Sequence, residues 1–390
     1  MLLAAPEVFS RPEIERVLIY RLGSLGDSVV ALPCYHLIER AFPNAERRLL
    51  TNIPIHAKAP AAAAVLGDSG LLHAYIQYPV RMRSPRQILA VRDEIRKFRP
   101  QVLIYLSSLR GFRAAQRDRI FFRACGIHSL IGFPESSQDC ERRILLDAAV
   151  LEPEAARLAR AIRALGVVDL DDPGNWNLRL NTAEIGRAEK VKQHLGSAPV
   201  LTVSVGTKVQ AKDWGEANWA ALLTRLAFLL PQHRLVLIGA AEEAAVSERA
   251  AAAWEERCLN LCGSLTPRES AAVIRLADLF LGHDSGPMHL AAAVGVPCVA
   301  IFAALNVPRV WFPYGGRHRV IYHRTDCAGC ELDICIEQKK KCILSITVEE
   351  VLSAVLAQLG VSSESGRTRS ATPGLHSPGM LGIDGYGTLN

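Results

Sequence analysis

The sequence predicts an α/β protein made of two Rossmann-like parallel-sheet domains that face each other. Short apolar runs alternate with helical apolar patterns through most of the chain, the pattern of a parallel sheet covered on both faces. A strand that ends in a glycine-containing polar turn occurs in both halves. The 390 residues also exceed one typical core of ~100–200 residues.

The first strand is the β-branched and apolar run Arg16–Tyr20, bounded by Gly23. Arg21-Leu22-Gly23-Ser24-Leu25-Gly26-Asp27 follows, and Ser28 through Phe42 has a helical pattern interrupted once by Pro33. Asp27 therefore sits where a loop becomes a helix. A carboxylate there either caps the helix or projects from the strand's carboxyl end, where open α/β sheets place their ligands. Further strands are expected at Arg48–Thr51, Leu72–Tyr78, Gln101–Leu106 and Leu130–Phe133, with helices at Pro85–Arg99, Phe112–Cys125 and Glu154–Leu165. Turn formers and acids from Val168 to Asn175 then break the pattern, which puts the first domain at 1–175 and the second at 176–361.

The second half opens with a helix at Thr182–Leu195 and a strand at Val200–Val205, followed by the polar stretch Gly206–Trp214. Lys212 in that stretch is either an ordinary surface lysine or, at a strand's carboxyl end, a contact for phosphate. Arg234–Ile238 is a strand ending in Gly239, with Glu242 and Glu243 just beyond it. A carboxylate in that position can accept both hydroxyls of a ribose, and which glutamate does so is left open. Leu259–Leu261, Ser270–Leu276, Ala277–Leu281 and Val299–Phe302 complete a second alternating sheet.

Between the last two of these lies His283-Asp284-Ser285-Gly286-Pro287-Met288-His289, a turn into a helix that begins near Pro287 and stops at Gly295. Ser285 and Gly286 leave the helix N-terminus open to an anion, and a phosphate fits there. Asp284 and His289 flank the spot with a carboxylate and an imidazole. The plainer alternative is that Asp284 or Ser285 caps the helix and His289 packs. Cys327, Cys330, Cys335 and Cys342 supply four thiols within sixteen positions, either a structural Zn or Fe site or free thiols. Thr347–Leu359 is a final amphipathic helix, and residues 362–390, rich in Ser, Gly, Thr and Pro, read as a disordered tail.

Two of these stretches share a resemblance. Arg21–Asp27 with Leu32-Pro33, and His283–Ala293 about 250 positions later, are similar to the two signatures of glycosyltransferase family 9, the ADP-heptose:lipopolysaccharide heptosyltransferases. The resemblance implies a GT-B architecture and transfer of a sugar, ADP-heptose being the first donor to expect, to a saccharide or glycolipid acceptor. It implies Asp27 as the base and Thr207 and Lys212 as contacts of the donor phosphates. Asp284, Ser285, Gly286, Pro287, Met288 and His289 would hold the donor, with Glu242, or Glu243 beside it, available to the ribose. No metal cofactor is then required for catalysis. Gly215 replaces the family's usual proline after the tryptophan, and Ala303–Asn306 replaces its Gly-Pro-Thr-Asp, so the donor sugar can differ. A nucleotide-sugar epimerase and a non-catalytic nucleotide-sugar binder are the rival readings.

With 49% hydrophobic and 22% charged residues the composition is that of an ordinary globular protein. No stretch reads as a membrane span or a secretory signal, so a cytoplasmic location is expected, with no nucleic-acid partner. The net charge of +6 is unevenly spread: from Arg81 to Arg123 eleven arginines and Lys97 face only Asp93, Glu94 and Asp118. Solvated helix faces usually interleave acids at i,i+4 spacing. Arg81, Arg83, Arg86, Arg110, Arg113 and Arg117 are therefore expected to include groups that recognise an anionic glycolipid and hold the protein against the inner leaflet.

Overall fold

The computed structural model describes residues 10–52, 62–79, 84–145 and 150–361. In chain order the first half runs β1 (Arg16–Tyr20), α1 (Leu25–Val30), α2 (Leu32–Ala41), β2 (Glu46–Asn52), α3 (Ala62–Leu66), β3 (Ala74–Tyr78) and α4 (Pro85–Phe98). It continues with β4 (Val102–Tyr105), α5 (Phe112–Ala124), β5 (Ser129–Ile131), the small antiparallel hairpin β6 (Ile144–Leu145) and β7 (Val150–Leu151), and α6 (Glu154–Ala161). The second half runs α7 (Thr182–Leu195), β8 (Val200–Ser204), α8 (Glu216–Leu229), β9 (Arg234–Leu237), α9 (Ala244–Ala250), β10 (Cys258–Asn260) and α10 (Pro267–Ile274). It closes with β11 (Leu279–His283), α11 (Gly286–Ala293), β12 (Cys298–Phe302), β13 (Arg319–Tyr322), α12 (Lys341–Leu344) and α13 (Val348–Leu359).

Two parallel sheets result, ordered β3-β2-β1-β4-β5 and β10-β9-β8-β11-β12-β13. Every residue of β8 and β12 is buried, as expected of central strands covered on both faces. The strand order reverses between β1 and β4 in the first sheet and between β8 and β11 in the second. Such switch points open a crevice at the strands' carboxyl ends. The three segments singled out in the sequence all leave a strand beside one of these crevices: Arg21–Asp27 after β1, Gly206–Lys212 after β8, and Asp284–His289 after β11.

The two halves are fastened together by buried polar contacts as well as apolar packing. Arg268 of α10 pairs with Glu184 of α7 at 2.6 Å and donates to the carbonyls of Val65 and Leu178, both at 3.0 Å. The N–H of Glu154 donates to the carbonyl of Val310 at 2.9 Å, a second link between the halves.

Some expected elements shift. The single helix expected from Ser28 to Phe42 is two, α1 and α2, meeting at Ala31, because Pro33 sits in the first turn of a new helix. The stretch Ser270–Leu276 falls mostly in α10, whose cap Thr266 accepts from the Glu269 N–H at 3.2 Å. The edge strand β13, the helices α3, α8, α9 and α12, and the hairpin went unread. Arg81, Arg83 and the tail 362–390 lie outside the described residues.

Candidate active site

A cleft of about 430 Å³ separates the two halves, lined on one side by Ser24, Leu25, Gly26 and Asp27 and on the other by residues that follow β8, β9 and β11. Glycines bring the walls close. A Cβ on Gly26 would lie 2.9 Å from Cδ2 of His289, and a Cβ on Gly286 would lie 2.8 Å from Cδ2 of Leu25. Each signature thus contributes a glycine against which a side chain of the other rests. The two segments are one contact surface.

Asp27 stands in the first turn of α1. Its Oδ2 accepts the Ser24 N–H at 2.8 Å, so it does cap the helix, yet its side chain keeps 25% of its surface exposed. Gly23 is required beneath it, since a Cβ there would come within 2.3 Å of the Asp27 Cβ. Arg21, fully buried, grips the aspartate from behind: Nε donates to the Asp27 carbonyl at 3.1 Å and NH2 lies 3.6 Å from Oδ1. The same guanidinium bonds the Leu106 carbonyl at 2.9 Å and Glu154 at 3.4 Å. Glu154 in turn holds Arg157 at 2.7 Å and Arg142 at 2.8 Å. Burial would push the Glu154 carboxyl up, but Arg157, Arg21 and Arg142 hold it down at about 2.

Opposite Asp27, Lys212 closes the short turn after β8. Its Nζ meets Asp284 Oδ2 at 2.6 Å and the Asp284 carbonyl at 3.4 Å. Thr207 and a second lysine, Lys208, line the same cleft. Burial lowers the Lys208 pKa, against the pull of Asp27. His283 is buried at the end of β11, where its Nε2 accepts the Trp214 N–H at 3.2 Å and so ties the turn that carries Lys212 to the strand that carries Asp284. His289 is likewise buried, and burial drops its pKa to about 4, so it is a neutral imidazole at pH 7. The Ser285 hydroxyl, next to the first turn of α11, is buried and has no protein partner. An orphaned hydroxyl beside free helical N–H groups is the donor set an anion uses.

The cleft therefore brings together Asp27, Thr207, Lys212, Asp284, Ser285, Gly286, Pro287 and His289. Met288 is buried in the core instead. Of the two glutamates, Glu243 lines this cleft, folded against Gly206, where a Cβ would lie 2.0 Å from its Cδ. Glu242 lines only an adjoining cavity of about 320 Å³ together with Thr207 and Lys208. Lys208 and Trp311 also line the cleft and Arg21 is buried behind Asp27; sequence reasoning gave none of the three a role of its own. For Arg21 the signal was present: a cation that directly follows a run destined for burial.

The expected roles elsewhere fare differently. The four thiols do not assemble into a metal centre: among the described residues no group of three or more His, Cys, Asp and Glu is placed to hold a metal ion. Cys335 and Cys342 are instead packed into the second half's core, Cys327 and Cys330 lie nearer the surface, and all four are free. Arg110 and Arg117 both pair with Asp118, at 2.5 and 3.1 Å, and their side chains remain 30 and 68% exposed. Arg110 also donates to the Tyr20 hydroxyl at 3.0 Å.

A family model described as glycosyltransferase family 9 (heptosyltransferase) matches residues 120–341. The lipooligosaccharide heptosyltransferase 2 of Campylobacter jejuni serotype O:2 is 27% identical over 86% of this chain and 96% of its own. The solved structure of a family 9 glycosyltransferase from Veillonella parvula is 18% identical, with a TM-score of 0.64 over 88% of this chain and 97% of that one. That of the Escherichia coli ADP-heptose lps heptosyltransferase II is 21% identical, with a TM-score of 0.59 over 88% and 98%. The two facing parallel sheets are accordingly those of the GT-B architecture.

Proposed function

Because the chain belongs to glycosyltransferase family 9, the heptosyltransferases, we propose that it transfers a heptose from ADP-heptose to a saccharide or glycolipid acceptor of the lipopolysaccharide core or a related surface glycan. The observation that carries this is the cleft wall itself, where Asp27 of one half faces Lys212 and the first turn of α11 from the other.

In this reading the first domain, to about residue 175, receives the acceptor, and the second, 176–361, holds the donor. A neutral hydroxyl is a poor nucleophile, and Asp27 takes its proton as it attacks the anomeric carbon. Arg21 keeps the carboxylate aimed into the cleft. As the bond to the diphosphate breaks, negative charge grows on the leaving group. Lys212, Thr207, the Ser285 hydroxyl and the free N–H groups of α11 meet that charge, without a divalent cation. Asp284 and His289 orient the donor, His289 as a neutral hydrogen-bonding group. Glu243 is better placed for the ribose than Glu242.

An ADP-heptose donor is supported by the likeness to the Escherichia coli ADP-heptose lps heptosyltransferase II. A lipid-linked acceptor would put the reaction at the cytoplasmic face of the inner membrane. Among the described residues no helix is long and apolar enough to cross a membrane. Incubating the protein with ADP-heptose, other nucleotide sugars and candidate acceptors tests the reading. Transfer of heptose is expected; an epimerised sugar, or binding without any product, would replace it. A thermal-shift screen ranks the donors first, since a ligand at 100 times its dissociation constant stabilises by about 2.7 kcal/mol.

A further inference from the structure

Among the described residues of the basic segment, α4 and α5 carry an exposed face that is both basic and aliphatic. Helices α4 and α5 lie side by side on one face of the first sheet, with Val91, Ile95, Ala115 and Phe122 buried in a single cluster with Leu18 and Leu103. Arg96 of α4 donates to the Ala124 carbonyl at the end of α5 at 2.9 Å. Their outward sides carry Ile88, Leu89 and Ile120, which are 36, 46 and 69% exposed. Around these aliphatic side chains stand Arg86, Lys97, Arg113 and Arg123, all exposed and without a hydrogen bond or ion pair among the described residues. The outward acids are Asp93, which is paired with Arg92 at 2.9 Å, and Glu94.

We propose that the outer face of α4 and α5 docks on an anionic lipid bilayer, the aliphatic tips entering the headgroup boundary and the unpaired bases meeting the lipid phosphates. Charge complementarity identifies the occupant. A helix face that was only solvated would balance its bases with acids at i,i+4 spacing, and it would not set three large aliphatic side chains among them. Single-stranded nucleic acid would instead call for a basic groove with aromatic rings on which bases stack, whereas the exposed apolar residues here are all aliphatic. One end of the face lies at the cleft's end of the sheet. The N-terminal ends of α4 and α5, with Arg86, Ile88, Leu89 and Arg113, follow the carboxyl ends of β3 and β4, the sheet edge at which Asp27 follows β1. A docked chain offers its cleft to whatever the membrane carries. That the carried molecule is the acceptor rests on the proposed function; the docking does not.

The test is sedimentation of the full chain with vesicles of phosphatidylcholine alone and of phosphatidylcholine mixed with phosphatidylglycerol. Binding should favour the mixed vesicles and fall steeply with salt, as the Debye length shrinks from ~10 Å at 0.1 M to ~3 Å at 1 M. Replacing Arg86, Arg113 and Arg123 together by Gln should weaken it roughly 100-fold, each base near an anionic surface contributing about a fivefold factor. A second variant with Ile88→Gln, Leu89→Gln and Ile120→Gln, bases intact, should weaken it at least ~10-fold. Both variants should keep the parent's thermal shift with ADP, which shows that they are folded. Equal binding to the two vesicle types, unchanged binding in either variant, or full displacement from vesicles by single-stranded RNA would overturn the proposal. Vesicle binding by a protein that transfers no sugar would overturn the enzymatic reading alone.

Discussion

The Lys212 ammonium lies 2.6 Å from the Asp284 carboxylate, a pair of side chains only 18 and 8% exposed that joins the turn after β8 to the turn after β11. Asp284 thus holds the anion position that a donor phosphate is proposed to take. Replacing it by Ala leaves a largely buried ammonium without its counter-charge, at a cost of about 1–3 kcal/mol. Asp284→Ala should therefore melt lower than the parent but gain more from ADP, whose phosphate restores the missing negative charge. Differential scanning fluorimetry with and without ADP reads both. A smaller ADP shift than the parent's would mean that Asp284 holds the donor directly more than it neutralises Lys212.

Asp27→Asn should cut turnover at least ~100-fold, the lower end for a positioned base. The dissociation constant for ADP-heptose should barely move, because the proton it removes belongs to the acceptor. The side-chain oxygen of Asn can still accept the Ser24 N–H, which Asp27 accepts at 2.8 Å, so α1 stays capped. Kinetics and donor titration on the same preparation separate the two effects. Near-normal turnover would leave Asp27 as a helix cap and nothing more.

Much of this arrangement was legible in the sequence, and the illegible part has a common cause. The strand Arg16–Tyr20 and the helix Thr182–Leu195 fall where periodicity and caps place them. Local pattern also marked Asp27, Lys212 and Asp284, since each lies in the segment that leaves a strand's carboxyl end and a ligand-facing turn needs particular residues. What local pattern does not carry is the partner. Arg21 and Glu154 are 133 positions apart, and Arg110 looked free until α5 brought Asp118 against it. The glycines show the limit from the other side: Gly26 reads as turn flexibility in sequence, whereas in the fold it is a close approach to His289. Of the two readings of the cysteines only free thiols are met, because spacing in sequence says nothing about whether Cys335 and Cys342 turn inward to the core.

Burial also makes stability depend on acid. His283, His289 and His318 are each pushed by burial from 6.5 to about 4. The unfolded chain binds these protons as pH falls through 6.5, while the folded chain resists until about 4. Their contribution is therefore complete above that upper value and is lost across the window below it. The urea midpoint should decline over that range, with each histidine adding up to about 1.4 kcal/mol per pH unit to the slope. His318 lies away from Asp27 and Lys212, in a cavity lined by Trp176, Tyr314 and Arg317. His318→Gln should flatten the slope by one proton's worth whatever it does to the midpoint; an unchanged slope would remove His318 from the account.

Lys212→Ala tests how the leaving group is stabilised. The diphosphate is already charged when the donor binds and gains charge as the glycosidic bond breaks, so loss of the ammonium should weaken donor binding and lower kcat together. Lys208 lines the same cleft, but burial already disfavours its charged form, so it should substitute poorly. If protein cations and the N-terminus of α11 do this work, the parent protein should turn over at an undiminished rate in EDTA. Loss of activity in EDTA with recovery on adding Mg or Mn would make a divalent ion the principal stabiliser. Recovery with Zn or Fe alone would lead back to Cys327, Cys330, Cys335 and Cys342, and metal content of the reduced protein would then decide whether those thiols rearrange around an ion. A variant that keeps its kcat while only KM rises would show instead that Lys212 holds the donor equally in the ground and transition states.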